Sequence, residues 1–158
     1  MALLLRRFLE SDLEDICEME SDFEVMKSTG PAKTFTYEES QKRLDKIIRY
    51  KSSNDIYGYW ALVDSELDKV VAWFMLIPIE EEYPEIGFMV NRKFWKKGLA
   101  FKGIEKILEK AKEEKVSRIV ARVNRENLAS IKTLEKAEFK IQKENEKIFF
   151  FVIETLIA

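Results

Sequence analysis

The order of short apolar segments and amphipathic segments along the chain restricts this sequence to folds built on one mixed β-sheet. Segments rich in aromatic and β-branched residues predict strands, and apolar residues at a 3.6-residue period predict helices. The resulting order is β-α-α-β-β-β-α-β-α-β-β. Antiparallel strands therefore come first, then a parallel β-α-β crossover and a final hairpin, which predicts an α/β or α+β fold with helices on both faces of the sheet.

Two local signals predict where helices begin. Thr36-Tyr37-Glu38-Glu39 is a T-x-x-E capping box, which places a helix from there to about Lys51. Asp12 is expected to cap a helix that begins at Leu13. The expected strands span 3–8, 57–63, 70–78, 85–90, 118–123, 139–143 and 148–156, with a charged turn at Glu80–Glu82.

Histidine is absent from the 158 residues, and Cys17 is the single cysteine. These two facts exclude Ser-His-Asp and Cys-His catalysis, a His-based zinc site and an internal disulfide. A net charge of −2, from 27 basic and 29 acidic residues, gives no basic footprint for nucleic acid. Proton transfer must therefore use a carboxylate, Tyr, Lys, Ser, Cys17, the backbone or water.

The length and the lack of a Gly/Ser/Pro-rich linker predict a single domain over residues 1–158. The apolar start ends at Arg6, which is too early for a signal-peptide core, and no apolar run approaches a membrane span. We therefore expect a cytoplasmic protein that binds no membrane.

The segment with the clearest chemical signal runs from Glu85 to Ala100, where a strand passes through a short loop into a helix that opens at Gly98. Small residues at a helix start let a ligand approach the backbone, whose first N–H groups bind phosphate. Lys96 and Lys97 add positive charge at the same point. The segment is thus an expected anion-binding loop, and the other interpretation is a polar connection with solvated lysines.

The element order and this loop together resemble the GNAT superfamily of acetyl-CoA-dependent N-acetyltransferases, over essentially the whole chain. The superfamily's phosphate loop is Q/R-x-x-G-x-A/G, and residues 95–100, Trp-Lys-Lys-Gly-Leu-Ala, match it except at Trp95. An aromatic residue there is similar to the ribosomal-protein N-terminal acetyltransferases (the RimJ/RimL type). Further segments that resemble this branch are 5–8 with 12–14, 22–27, 85–88, and 127–130 with 134–136 and Phe139.

The resemblance implies a GNAT-like mixed, mostly antiparallel sheet of six to seven strands, whose fourth and fifth strands splay apart around the pantetheine arm of acetyl-CoA. An N–H near Met89 would polarise the thioester carbonyl. The loop backbone would hold the pyrophosphate, and no metal is implied. The implied acetyl-CoA contacts are Phe88, Met89, Val90, Lys96, Lys97, Gly98, Leu99, Ala100 and Asn127.

Two catalytic residues follow from the same resemblance. Ser130 would protonate the departing thiolate, or it is a helix residue bonded to its own backbone. Glu85 would act as general base through water, or it is a charge at the start of a strand. Many superfamily members have a Tyr as the acid seven residues after the Asn, where this chain has Leu134. Glu138 replaces a Gly that usually ends the last helix, and Lys96 replaces a frequent Gly of the loop.

Two functions are compatible with these residues. The first is an enzyme that transfers acetyl from acetyl-CoA to a primary amine, either a protein N-terminal α-amine or a small molecule. The second is a non-catalytic acetyl-CoA-binding or regulatory domain of the same fold. The sequence leaves the acceptor open, and also whether the chain is a monomer or a homodimer.

Overall fold

The computed structural model describes residues 1–79 and 83–156, so the expected turn at Glu80–Glu82 lies outside the described residues. Within these ranges seven strands form one sheet in the order β1-β2-β3-β4-β5-β7-β6. The strands are β1 (Leu3–Arg6), β2 (Gly58–Asp64), β3 (Lys69–Ile79), β4 (Tyr83–Val90), β5 (Arg118–Asn124), β6 (Lys140–Glu144) and β7 (Ile148–Glu154). The helices are α1 (Leu13–Glu20), α2 (Phe23–Met26), α3 (Tyr37–Arg49), α4 (Leu99–Glu113) and α5 (Leu128–Lys136).

The sheet is mostly antiparallel, and β4 and β5 are its parallel neighbours. Between these two strands the described residues form one registered pair, Glu85 with Val120, so the strands diverge after it. The predicted fold class is therefore confirmed, including the mixed sheet and the splayed fourth and fifth strands. The divergence leaves the β5-facing edge of β4 without a strand partner from Ile86 onward.

The helices divide between the two faces of the sheet. Buried residues of α1, α2 and α3 pack with Ala61, Trp73 and Met89 on one face. Buried residues of α4 and α5 pack with Phe74 and other residues on the opposite face. Because side chains alternate along a strand, Trp73 and Phe74 point to opposite cores.

Of the two predicted helix caps, one is confirmed and the other is wrong. The capping box at α3 is confirmed: the Glu39 N–H donates to Thr36 Oγ1 at 3.2 Å, and the Thr36 N–H donates to Glu39 Oε1 at 2.9 Å. The predicted side-chain cap at Asp12 is wrong. Its carboxylate instead accepts two hydrogen bonds from Arg6, at 2.8 and 2.9 Å, and one from the Leu9 N–H. Asp12 therefore ties β1 to the 3-10 turn that leads into α1.

The C-terminal ends of α4 and α5 have the left-handed backbone that glycine normally provides, although neither has a glycine there. Glu138 has φ 72° after α5; the Phe139 N–H donates to the Leu134 carbonyl and the Glu138 N–H to the Glu135 carbonyl, both at 3.0 Å. This is the Schellman pattern. Lys115, with φ 59°, has the same place after α4. Both residues pay about 1–2 kcal/mol for a left-handed backbone.

Glycine at position 103 sets the distance between α4 and the sheet. A Cβ built on Gly103 would lie 2.1 Å from Cζ of Phe74, a side chain with no exposed surface. The helix backbone therefore rests directly on the Phe74 ring, which in turn lies 6.1 Å from the Phe88 ring of β4. This close contact fixes the first turn of α4 beside the free edge of β4. Across residues 1–79 and 83–156, none of the helices is long and apolar enough to cross a membrane.

Candidate active site

A cleft of about 480 Å³ opens where β4 and β5 diverge. Its floor is the C-terminal half of β4, and its walls are the first turns of α4 and α5 together with α2 and the segment after it. Because β4 lacks a partner strand on this side, its N–H and C=O groups there can bind an extended ligand as an added strand would. Trp95 closes one end: its indole Nε1–H donates to the Val90 carbonyl at 2.8 Å.

The loop before α4 has the backbone of an anion site. Lys96 (φ 64°) and Gly98 (φ 70°) both have left-handed backbones, on either side of Lys97. Such turns direct consecutive N–H groups toward one point, and the N–H groups of the first helical turn have no partner within the helix. Together with the positive end of the α4 dipole, this favours a phosphate group. Lys96 keeps the conformation expected of glycine, so the loop geometry survives this substitution.

The first turn of α5 brings two polar side chains to the cleft. Asn127 caps the helix, with its Oδ1 accepting from the Ser130 N–H at 3.2 Å, and it lines the cleft. Ser130 is half-buried and also lines the cleft. One turn later Thr133 lines the cleft too, but its hydroxyl donates to the Ala129 carbonyl at 2.9 Å. Leu134, at the position where many relatives have a Tyr, is fully buried.

The cleft brings together most of the residues that the sequence predicted for the site. Those that line it are Phe88, Met89, Val90, Lys96, Gly98, Leu99, Ala100, Asn127 and Ser130. Lys97 is not among the lining residues, and its ammonium lies 5.4 Å from the centre of the Phe94 ring.

Glu85 lies apart from this cleft. Its carboxylate, 8% exposed, accepts from both Nε and Nη2 of Arg122, with the Nη2 bond at 3.0 Å. The hydrogen bond and the charge of Glu85 raise the pKa of Arg122 above its ordinary value. A carboxylate held in this way has few lone pairs left for a proton from substrate. The geometry does not favour the predicted base role for Glu85.

Further residues of the cleft lie outside the predicted catalytic and acetyl-CoA sets. Glu24 and Val25 of α2, with Lys27, Ser28 and Thr29 after it, form one wall, and they fall in the segment 22–30 that the family resemblance implies on the acceptor side. Phe94, Trp95, Phe101 and Thr133 complete the lining. Thr133 lies three residues after Ser130 on one helix, so helical spacing alone indicates that the two share a face.

An acidic patch on α1 anchors the loop that leads to the cleft. Glu18 accepts one hydrogen bond from Lys69, at 2.6 Å, and forms an ion pair with Lys93 at 2.9 Å. These two lysines lower the pKa of Glu18 to about 2. Arg92 forms a second bridge, to Asp22 at the start of α2, at 2.9 Å. The 3-10 turn of residues 92–94 is thus held from two helices just before the phosphate loop.

Comparison with known proteins identifies close structural relatives. A family model described as an acetyltransferase (GNAT) domain matches residues 2–140. The chain is 30% identical over 141 residues to an uncharacterized N-acetyltransferase, p20, of Bacillus licheniformis, which covers 87% of this chain and 79% of the relative. The crystal structure of a GNAT-family acetyltransferase from Bacillus anthracis superposes with a TM-score of 0.87 at 24% identity, over 98% of this chain and 96% of that chain.

A more distant structure adds a bound ligand. Spermidine N-acetyltransferase from Vibrio cholerae, in complex with CoA and spermine, superposes with a TM-score of 0.79 at 17% identity. The match covers 97% of this chain and 95% of that chain.

Proposed function

The chain belongs to the GNAT acetyltransferase family and is an N-acetyltransferase, and on that premise we propose that it transfers acetyl from acetyl-CoA directly to a primary amine in a ternary complex. The observation that carries the proposal is the unpaired edge of β4, which opens onto the cleft where β4 and β5 diverge. A direct transfer needs both substrates side by side on such a scaffold, because positioning supplies much of the rate.

The residues of the cleft fit acetyl-CoA in two places. The left-handed turns at Lys96 and Gly98 and the first N–H groups of α4 suit the pyrophosphate. The β5-facing edge of β4 along Phe88, Met89 and Val90, which has no partner strand, suits the amide-bearing pantetheine arm, and Asn127 offers it a side-chain amide. Acetyl-CoA, the co-substrate of the family, is therefore assigned to this cleft.

The reaction requires stabilisation of one oxygen and two proton movements. The amine nitrogen attacks the acetyl carbon, the C–S bond breaks, and the sulfur leaves as a thiolate that takes up a proton. A β4 N–H near Met89 stabilises the negative charge that develops on the carbonyl oxygen. Ser130 is the proposed donor of the thiolate proton, since its hydroxyl lines the cleft and has no hydrogen bond to another described residue.

We assign no dedicated base, because Glu85 is held by Arg122 and lies outside the cleft. An amine with a low pKa loses its proton to water most readily, and an α-amine (about 7.7–8.0) lies well below lysine (about 10.4). This difference favours a protein or peptide N-terminal α-amine, the acceptor of the RimJ/RimL branch that the sequence resembles. Glu85→Gln is then expected to leave the shape of the pH–rate profile unchanged.

The central experiment measures CoA release from acetyl-CoA with a panel of acceptors: N-terminal peptides of ribosomal proteins, polyamines and aminoglycosides. Turnover with peptide α-amines supports the proposal. Tight acetyl-CoA binding without turnover over the whole panel supports the non-catalytic alternative instead.

The role of Ser130 has a matched control in the same cleft. Ser130→Ala is expected to lower kcat about 100-fold, a typical contribution of a general acid. Thr133→Val removes a hydroxyl that already donates to the Ala129 carbonyl, and it should leave kcat within about threefold. Equal effects of both substitutions would contradict the acid role and indicate a shared packing effect.

A further inference from the structure

On one face of the sheet, the strands on the β5 side of Met89, where the acetyl group is proposed to react, are not covered by a helix core within the described residues. On the face that α1, α2 and α3 cover, the buried core contains no described residue of β5, β6 or β7. Phe150 and Val152 on that face of β7 are half-buried, and Arg122 and Lys143 are exposed. An acceptor that approaches Met89 from this side must lie along this open face.

Strand register places one row of side chains across the open face. Met75 pairs with Gly87, and on the other side of the divergence Arg122 pairs with Phe150, which pairs with Lys143. The Glu85–Val120 pair sets Gly87 and Arg122 at the same level. Gly87 has no side chain of its own, and the Met75 side chain lies across it: a Cβ there would be 3.1 Å from two Met75 carbons. The row lies two residues before Met89, or about 7 Å along the strand.

The charge of this open face is positive. Among the described residues of β4 to β7 it carries four basic side chains and two acidic ones, a sum of +2. Glu85 binds Arg122, and Glu154 binds Arg118 at 2.6 Å. Lys140 and Lys143 form no ion pair with any described residue, and Lys143 Nζ lies 4.9 Å from the centre of the Phe150 ring.

Arg122 also has donors to spare. Glu85 accepts from its Nε and from one N–H of Nη2, so Nη1 has no partner among the residues that the structure describes, and the side chain is 57% exposed. Arginine presents five N–H donors in a planar fork that matches carboxylate or phosphate. Glu85 thus orients the Arg122 guanidinium and leaves other N–H donors of it available to a ligand.

We propose, on the basis of the proposed function, that the acceptor is an amine with an anionic group about 7 Å from the reacting nitrogen, held by Arg122 and Lys143. An extended peptide rises about 3.4 Å per residue, so an acidic third residue places its side chain at this row. Polycationic amines are disfavoured, because Lys140 and Lys143 repel them.

The test uses pentapeptides that differ only at the third residue, as Glu, phosphoserine, Gln or Lys, with spermidine as the polycation. We expect kcat/KM for the Glu peptide to exceed that for the Gln peptide about threefold to tenfold, and the Lys peptide to be poorest. A higher rate for phosphoserine than for Glu would identify phosphate as the preferred anion. A Lys peptide or spermidine that reacts as fast as the Glu peptide would overturn the proposal.

Charge-reversal variants assign the preference to this surface. Lys143→Glu is expected to abolish or invert the order of the Glu and Lys peptides, and 0.5 M salt should weaken it. Lys46→Glu makes the same net charge change at an exposed site on α3 and should leave the order intact. A Glu preference that survives a Lys140→Glu/Lys143→Glu double variant would refute the assignment.

Failure of the proposed function is distinguishable from failure of this inference. If no acceptor releases CoA, the proposed function fails, and the preference is measured as equilibrium binding of the same peptides in the presence of CoA. Tighter binding of the Glu peptide than of the Lys peptide then supports the anionic acceptor, and equal binding contradicts it.

Discussion

The contact between Gly103 and Phe74 makes a quantitative prediction. Gly103→Ala adds one methyl group to the middle of α4, where a Gly→Ala change without a packing constraint stabilises a helix by about 1 kcal/mol. Here the added Cβ would lie 2.1, 2.5 and 2.9 Å from three carbons of the Phe74 ring. Carbon atoms in contact are normally about 3.5–4.0 Å apart, so helix and ring must separate by about 1.5 Å.

The magnitude follows from these two opposing effects. Overpacking a dense core costs about 1–3 kcal/mol, and this overlap falls at the upper end because Phe74 has no exposed surface into which it can move. Subtracting the helix-propensity gain leaves a net loss of about 2 kcal/mol. For a chain of 158 residues that corresponds to a fall in Tm of about 4–8 °C.

The assay is urea unfolding of four proteins in a double-mutant cycle: wild type, Gly103→Ala, Phe74→Leu and the double variant. Phe74→Leu alone is expected to lower stability because the smaller side chain leaves a cavity. The loss should be smaller than that of a Phe→Ala change, which is about 3–5 kcal/mol. The methyl group and that space should compensate, giving a favourable coupling energy of at least about 1 kcal/mol. Gly30→Ala is the control, because a Cβ built there has no atom of another described residue within 4 Å apart from its two chain neighbours.

Two results would refute this reasoning. One is a Gly103→Ala protein as stable as wild type or more so, which is the behaviour of a helix glycine without close neighbours. The other is additive effects of the two substitutions, which would mean that the methyl group and the ring do not meet. Acetyl-CoA affinity gives an independent readout, since a displaced α4 moves the phosphate loop.

Three further predictions concern helix ends and pH. Glu138→Gly and Lys115→Gly should each raise stability by about 0.5–1 kcal/mol in urea unfolding, because glycine removes left-handed strain that exceeds its own entropy cost; a loss of stability would show that neither backbone is strained. Thr36→Ala should cost about 1 kcal/mol by the same measurement, whereas the exposed Lys46→Ala should change stability by less than about 0.5 kcal/mol. The pKa of Glu18 is about 2 in the folded chain, below the unfolded value, so its stabilisation is complete above about pH 4.3 and is lost as the pH falls toward 2. Glu18→Gln should therefore flatten the acid limb of a stability–pH curve, and an unchanged limb would contradict the ion pairs with Lys69 and Lys93.

Local sequence patterns predicted the helices and strands well, because the residues that form each pattern lie within a few positions of the structure they predict. The capping box of Thr36 and Glu39 is one example, and the strand-loop-helix around Gly98 is another. The same loop also contributes Trp95, Lys96, Gly98, Leu99 and Ala100 to the cleft lining, since neighbouring residues on one turn face one ligand. Lys96 has a left-handed backbone without the glycine that usually signals one, so its residue type did not predict this conformation.

Local patterns could not predict which residues from distant parts of the chain come into contact. Alternation showed that Trp73 and Phe74 point to opposite faces, but not which face carries α4. The ion pair of Glu85 joins residues 37 positions apart, and it depends on the parallel register of two strands whose connection contains a whole helix. This is why the base role expected for Glu85 did not agree with its geometry. The side-chain cap predicted at Asp12 is wrong for a different, local reason, because Arg6 binds the Asp12 carboxylate.

Among the described residues β4 and β5 form one registered pair, and this has a consequence for the protein in the cell. The edge of β4 beyond that pair lacks a partner strand, and under the proposed function the co-substrate supplies the missing hydrogen bonds. Binding to the folded state alone then adds about 2.7 kcal/mol of stability when the ligand is at 100 times its Kd. Protein lifetime would follow the acetyl-CoA supply, because depletion uncovers a strand edge of the kind that recruits other chains. The chain would then report the acetyl-CoA level by its abundance as well as by its rate.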